Sequence, residues 1–362
     1  MALRSPLHPR RIKRTLGAGV IGRIAAMRLK TVLATFVLGS VVAGAAWAWG
    51  SSGHRYIGEE ALKALPDYTP SFLRTPSAIT DVGEYSREPD RWRGSGKVHD
   101  NDRDIAHFID LDDAGNTLAG VSLDNLPATR SDYEAAVKAK GIEPYKAGYL
   151  PYATVDAYEQ VVKDLAFWRV LNFLEPKETD KTKKAFFHAD RLRREALTLR
   201  DIGVLSHYVG DGSQPLHLSI HYNGWGDYPN PNGFTLEHIH SPLEGAYVSD
   251  NISADDVRAN MHAYTPCTDP VMSCITAHLK LSNSFVIPMY QLEKDGGFKS
   301  GDPRGKAFLA ARVGEGAADL RDAILDAWRD SKTMQVGYKT GTYDDFVANR
   351  VADPYGTLHG DD

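Results

Sequence analysis

The sequence predicts an all-α fold, a single multi-helix domain with long loops. Three observations predict it. Five segments carry apolar residues at three- and four-residue spacing, the pattern of a helix with one face in a core. No long stretch alternates apolar and polar residues as a half-buried strand would. Glycine, proline, asparagine and aspartate concentrate in two intervening stretches, 111–150 and 218–236, which read as loops.

Residues 1–48 stand apart from this pattern. Up to Lys30 they hold eight basic residues and no acid, and an apolar run from Thr31 to Ala48 follows. The run closes on Ala46-Trp47-Ala48, a small-x-small site of the kind that signal peptidase cuts. This predicts a signal peptide cleaved before Trp49, with Met27 a second candidate for the true start, and an exported protein, periplasmic or secreted. A retained membrane anchor is the competing reading, since the run is at the short end of the ~20 residues that span a bilayer. The eight positive charges leave with the leader, so a chain at −5 becomes a mature portion near −13. An acidic protein does not grip a polyanion through a broad basic face. Attraction for a phosphodiester must then come from a local source such as bound metal ions.

The predicted helices follow in order at 52–64, 154–174, 184–211, 271–293 (interrupted by Pro288) and 304–330. In the second, Val155, Tyr158, Val162, Leu165 and Trp168 share one stripe. In the last, Phe308, Ala311, Leu320, Ile324 and Trp328 do so. The domain is expected to run over 49–345, with 346–362 a polar tail. Cys267 and Cys274 are the only cysteines. In an exported chain they read as a local disulfide. Two cysteines cannot build a thiolate zinc site, so any metal has nitrogen and oxygen ligands.

Metal sites of that kind want imidazole and carboxylate, and a helix presents two ligands on one face at spacing four. His207 and Asp211 have this spacing, and so do His240 and Glu244. His217 lies between them, just after Pro215. One such pair is an ordinary solvated helix pair; three such elements within 38 residues are not readily so. His107 interrupts an apolar patch upstream. His54 is five residues from the expected new N-terminus. A free α-amino group has a pKa near ~8, so a metal readily deprotonates it, and amine and carbonyl of Trp49 together can chelate. His188, His221, His238 and His278 do not fit this pattern.

The motifs Trp-Gly-Ser-Ser-Gly-His at 49–54, His-Phe-Ile-Asp at 107–110, His-Tyr-Val-Gly-Asp at 207–211, Gln-Pro-Leu-His at 214–217 and His-Ser-Pro-Leu-Glu at 240–244 resemble the three-zinc superfamily. That superfamily joins the fungal single-strand nucleases (S-one/P-one type) and the bacterial zinc phospholipases C. The resemblance implies three zinc ions. One is held by Asp90, His107, His207 and Asp211. A second is held by Trp49, His54 and the bridging Asp211, and a third by His217, His240 and Glu244. Asp81 is the fallback for Asp90. Arg93 matches the family's phosphate-facing arginine; an exposed ion pair of Asp90 with Arg93 is the plain alternative. The implied reaction is hydrolysis of a phosphodiester by metal-activated water, with Asp211 and Arg93 as its catalytic residues and no covalent intermediate.

For the substrate the motifs divide. Phe108 and Asp110 match the nuclease base pocket, where the ring stacks and the carboxylate accepts from the base. A core phenylalanine and a capping aspartate are the plain reading of the same pair. Glu244 stands where the nucleases carry aspartate and the phospholipases glutamate. Single-stranded nucleic acid or a nucleotide is the expected partner, with 3′-nucleotides included and phospholipid the alternative. A periplasmic zinc-binding protein without turnover is the reading from a different class.

Overall fold

A computed structural model describes residues 49–338 and 340–360. The expected leader and its cleavage site lie outside the described residues. Those residues are overwhelmingly helical. Among them, strand pairing is limited to isolated bridges, such as Ile109 with Gly148 and Leu111 with Thr117. The all-α, single-domain expectation therefore holds.

Eight helices of nine residues or more build the domain among the described residues. They are α1 (Gly50–Lys63), α2 (Pro76–Tyr85), α3 (Arg130–Ala139), α4 (Leu150–Leu174), α5 (Lys181–Ser213), α6 (Val271–Asn283), α7 (Val286–Lys294) and α8 (Pro303–Asp330). Local chemistry sets their starts. Asp180 caps α5 by accepting from the amides of Thr182 and Lys183. Asp302 caps α8 by accepting from Arg304, with Pro303 in the first helical position. Both satisfy amides that a helix start leaves unpaired.

Helix α4 is the centre of the packing. It buries Leu150, Ala157, Val161, Leu165 and Leu171 on several faces, as expected of a helix surrounded by others. Of its predicted stripe, Tyr158, Val162 and Leu165 are buried while Val155 and Trp168 are half-buried. Along α5, at ~50 Å the longest element, the first half is largely exposed and everything from Leu205 to Ser213 is buried. That buried end packs against α1, α2, α4 and α8. Close approach there depends on Gly210. A β-carbon at this position would lie 3.0 Å from Ile57 Cδ1 and 3.3 Å from His54 Nδ1. The missing side chain makes room for His54 beside the end of α5.

Three expectations need correction. The stretch 111–150 is not all loop: Thr129 Oγ1 accepts from the amide of Asp132 and starts α3. The interruption expected at Pro288 falls earlier, at Ser284 and Phe285. Pro288 sits in the first turn of α7, where its missing N–H costs nothing. The boundary at 345 cuts through a short helix, Tyr343–Val347, whose Phe346 is buried with Val170 and Val336 in a small second core. The segment after it is therefore anchored rather than a free polar tail. Cys267 and Cys274 form the expected disulfide, compatible with an oxidising compartment. No helix among the described residues is long and apolar enough to cross a membrane.

Candidate metal centre

The last turns of α5 carry His207 and Asp211 on one face, both fully buried. His54 arrives from α1, stacked on His207 with ring centroids 4.1 Å apart. His107 follows the single turn Asp104–Ala106. Its Nδ1 lies 3.0 Å from Asp211 Oδ2 and 2.8 Å from His207 Nε2. The other oxygen of Asp211, Oδ1, is 3.6 Å from His54 Nε2. Asp211 thus turns one oxygen toward each of two histidines, the disposition a bridging carboxylate needs. Asp90 closes the group, with Oδ1 4.0 Å from His107 Nδ1. Asp81, on α2, joins no such group; Asp90 does.

A second group is built beyond the end of α5. The helix stops at Ser213, Pro215 opens a short turn, and His217 leaves that turn buried. His240 and Glu244 approach from the other side. His240 Nε2 is 2.7 Å from Glu244 Oε1 and 3.1 Å from His217 Nε2. Residues 243–247 form a π-helical turn rather than an α-helical one, a widening frequent at functional sites.

The supporting hydrogen bonds orient the ring nitrogens. His207 donates Nδ1–H to the Ser86 carbonyl at 2.8 Å, and His217 donates Nδ1–H to the His107 carbonyl at 2.6 Å. Each leaves the Nε2 lone pair facing the site, as outer partners of metal-binding histidines do. Gln214 donates to Glu244 Oε1 at 2.9 Å. This positioning residue was not singled out from the sequence, although it stands inside the Gln-Pro-Leu-His motif.

Electrostatics mark the same atoms. Burial pushes the Asp90 carboxyl up to about 7 against the pull of Arg93, and pushes Asp211 well above the usual carboxylate range. Burial pushes His107 and His207 down. Burial alone would raise Glu244, but His240 and His217 outweigh it and hold the carboxyl at about 2. Asp90 Oδ1, Asp211 Oδ1 and Glu244 Oε2 are sealed from solvent and make no hydrogen bond. Buried polar atoms of this kind normally find a partner. Oxygens without hydrogen bonds beside imidazole lone pairs are what divalent cations fill. Three buried groups have the composition and spacing to hold metal ions: His54, His207 and Asp211; Asp90, His107 and His207; His217, His240 and Glu244.

The remaining expected residues fall as follows. Trp49 is fully buried and caps α1. Its indole donates to the Gly210 carbonyl at 2.7 Å and to Ser213 Oγ at 3.0 Å. Its carbonyl accepts from Gly53 at 3.1 Å, which leaves one lone pair. Arg93 stands 3.6 Å from Asp90 Oδ1 and 3.5 Å from Asp104 Oδ1, at the rim of the first group. Phe108 is half-buried and Asp110 buried; burial pushes the Asp110 carboxyl well up, and its Oδ1 makes no hydrogen bond. Among the histidines set aside, His238 is exposed and His188 pairs with Glu175. His221 stacks on Trp225 and faces Asp113.

A groove of about 800 Å³ adjoins the first group. It is lined by Trp92, Arg103, Arg130, Tyr149, Arg200 and Tyr208 among others. Tyr208 lies edge-on to His107 at 6.0 Å. Arg130 and Tyr149 come from the 111–150 stretch, so this segment does shape the surface beside the site. In comparisons with known proteins, no family model matches the chain and no curated protein matches it.

Proposed function

We propose that this protein is a zinc-dependent phosphodiesterase of the three-zinc superfamily, cleaving single-stranded nucleic acid to 5′-nucleotides. The observation that carries the reading is the convergence of three buried histidine–carboxylate groups around Asp211 and Glu244. In the mature chain Trp49 and His54 with Asp211 would hold one ion, Asp90, His107, His207 and Asp211 a second, and His217, His240 and Glu244 a third. Bound zinc would supply Lewis acidity and a water acid enough to attack phosphorus near neutral pH. The chain's own residues do the rest. Asp211 fixes the two flanking histidines against each other. Arg93 supplies positive charge where a phosphoryl oxygen gains negative charge. Phe108 offers a ring face for a base and Asp110 a carboxyl for its edge. The Ser86 and His107 carbonyls fix the tautomers of His207 and His217, so these two rings would meet a cation with a lone pair already in place.

The pair Phe108 and Asp110 favours nucleic acid over lipid: a ring face and a carboxyl suit a base, whereas acyl chains would want an apolar channel. Glu244 is the one feature that favours a phospholipase C. A side-by-side assay decides. The zinc-loaded mature protein is offered single-stranded DNA, RNA, 3′-nucleotides and phosphatidylcholine. Release of 5′-nucleotides is expected. Diacylglycerol without nucleotide would overturn the choice of substrate, and zinc binding without turnover on any of them would leave a metal-binding protein.

A further inference from the structure

A second histidine–carboxylate cluster lies on α8, outside the groups described above. Glu315 and Asp319 are four apart on one helix face, where two carboxylates repel unless a cation lies between them. His278 from α6 brings Nδ1 within 2.6 Å of Asp319 Oδ2. That contact lacks the alignment of a hydrogen bond: both ring nitrogens of His278 and Asp319 Oδ2 are sealed from solvent and make none. The same signature, close nitrogen and oxygen atoms without hydrogen bonds, marks Asp90, Asp211 and Glu244 at the main site. His262 completes the set from the strap 260–270. Its Nε2 is 3.3 Å from Asp319 Oδ1 and 4.0 Å from Glu315 Oε1. Its Nδ1 donates to the Ala263 carbonyl at 2.7 Å, an outer bond that turns Nε2 toward the carboxylates.

The neighbouring acids are already used. Asp322 accepts from Arg321 and from the Thr265 amide, and Asp326 from Tyr264, Arg329 and the Cys267 amide. Arg312, one turn back, lies over the Phe285 ring. Glu315 and Asp319 face the two histidines, with the Arg312 charge near both. A cavity of about 390 Å³ opens beside them, lined by His278, Glu315, Asp319, both cysteines and apolar Leu205, Val209 and Ile275. It gives a cation room.

We infer that His278, Glu315 and Asp319, with His262 beside them, form a further zinc site, separate from the main centre. Imidazole nitrogens and carboxylate oxygens are donors that zinc takes. Its chemistry is structural. It joins α6, α8 and the strap next to the disulfide, and neutralises the carboxylate pair. The His278 ring also rests near Gly212, one residue beyond Asp211, so the ion would brace the end of α5 from outside the main centre.

The test is a metal count with zinc chloride as the only added ligand. Native mass spectrometry of the mature protein is compared with Asp319→Asn, His278→Gln and His262→Gln. Each variant is expected to hold one ion fewer than the wild type or to bind that ion at least tenfold more weakly, with phosphodiesterase activity kept. His262 is about a third exposed on a non-helical strap, so His262→Gln leaves the helix packing intact. Equal zinc in the wild type and all three variants would overturn the site and leave protonated histidines as the partners of Asp319. The total tests the earlier reading separately: one ion in the wild type and none in the variants would keep this site and sink the three-ion centre.

Discussion

Gln214 and Glu244 meet side chain to side chain at 2.9 Å, both wholly buried. The Gln214 oxygen accepts from the Leu216 amide at 3.1 Å, so the amide cannot flip and its NH₂ must face Glu244. The carboxylate oxygen that faces His240 and His217, Oε1, is thereby held in place, while Oε2 makes no hydrogen bond. Replacing Gln214 with Leu is expected to weaken the ion of the His217 group by about 10- to 100-fold, the usual loss for an outer partner. A zinc titration read by isothermal calorimetry measures it; unchanged affinity would remove Gln214 from the site.

If Asp211 bridges two ions as proposed, Asp211→Asn should act on both at once. Turnover is expected to fall by more than about a hundredfold, taking the loss of one outer partner as the floor. Without metal the sign reverses. Burial favours a neutral side chain here, so the metal-free variant should melt no lower than the metal-free wild type. The stabilisation that zinc brings by binding only the native state should shrink. Calorimetric melts with and without zinc report both, and full turnover in the fully metallated variant would exclude a bridging role.

Phe108→Ala separates base recognition from chemistry. A stacked base contributes about 1–3 kcal/mol, so kcat/KM on single-stranded DNA should drop roughly 10- to 100-fold, while a small phosphodiester without a base is cleaved as before. Equal losses on both substrates would make Phe108 a packing residue only.

Gly148 tests how the fold aims the site. Its φ is +71°, and a β-carbon would come within 2.1 Å of the Phe108 carbonyl oxygen. That carbonyl accepts from the Leu150 amide at 3.0 Å and so ties the His107–Asp110 segment to the start of α4. Gly148→Ala should displace the segment, destabilise the protein by more than the ~1 kcal/mol of an ordinary glycine exchange, and lower zinc affinity at His107. Chemical denaturation with a parallel zinc titration checks it; an unchanged midpoint would sink the argument.

Asp164 should set a pH dependence remote from the metals. Burial, with Asp201 beside it, raises its carboxyl from 3.8 to about 7 despite the Arg194 guanidinium 3.0 Å away. Between those values the native chain holds a proton that the unfolded chain has lost. Stability from this group is full below pH 4 and drains away as pH rises toward 7. Asp164→Asn keeps an acceptor for Arg194 and should flatten the urea midpoint between pH 4 and 7, exceeding the wild type at pH 8. A parallel pair of curves would refute the assignment.

Much of this architecture is legible in the residues. Long apolar periodicity marks α5 and α8, and Asp180 and Asp302 mark their starts. His207 with Asp211 and His240 with Glu244 are visible because helical spacing puts them on one face. What was not legible depends on partners far along the chain. Gln214 is an ordinary polar residue until Glu244 folds over it. The π-helical turn at 243–247 leaves no periodic trace, because one widened turn changes the register only locally. Helix α3 is masked by the glycine, proline and asparagine that flank it, although Thr129 and Asp132 form a readable cap. His278 looked unattached because its acids, Glu315 and Asp319, lie on another helix.

The indole of Trp49 is fastened at both Gly210 and Ser213, which places residue 49 independently of anything that precedes it. Its φ of +34° is a conformation bulky side chains avoid, and the penalty arises from the carbonyl of the preceding residue. Scission of the bond before Trp49 removes that carbonyl. Proteolysis at this bond would thus relax a torsional strain while the side chain keeps its seat. A neutral amide would become a basic amine without residue 49 having to be ordered afresh, so cleavage at this bond would change the charge of a position whose entropy has already been spent.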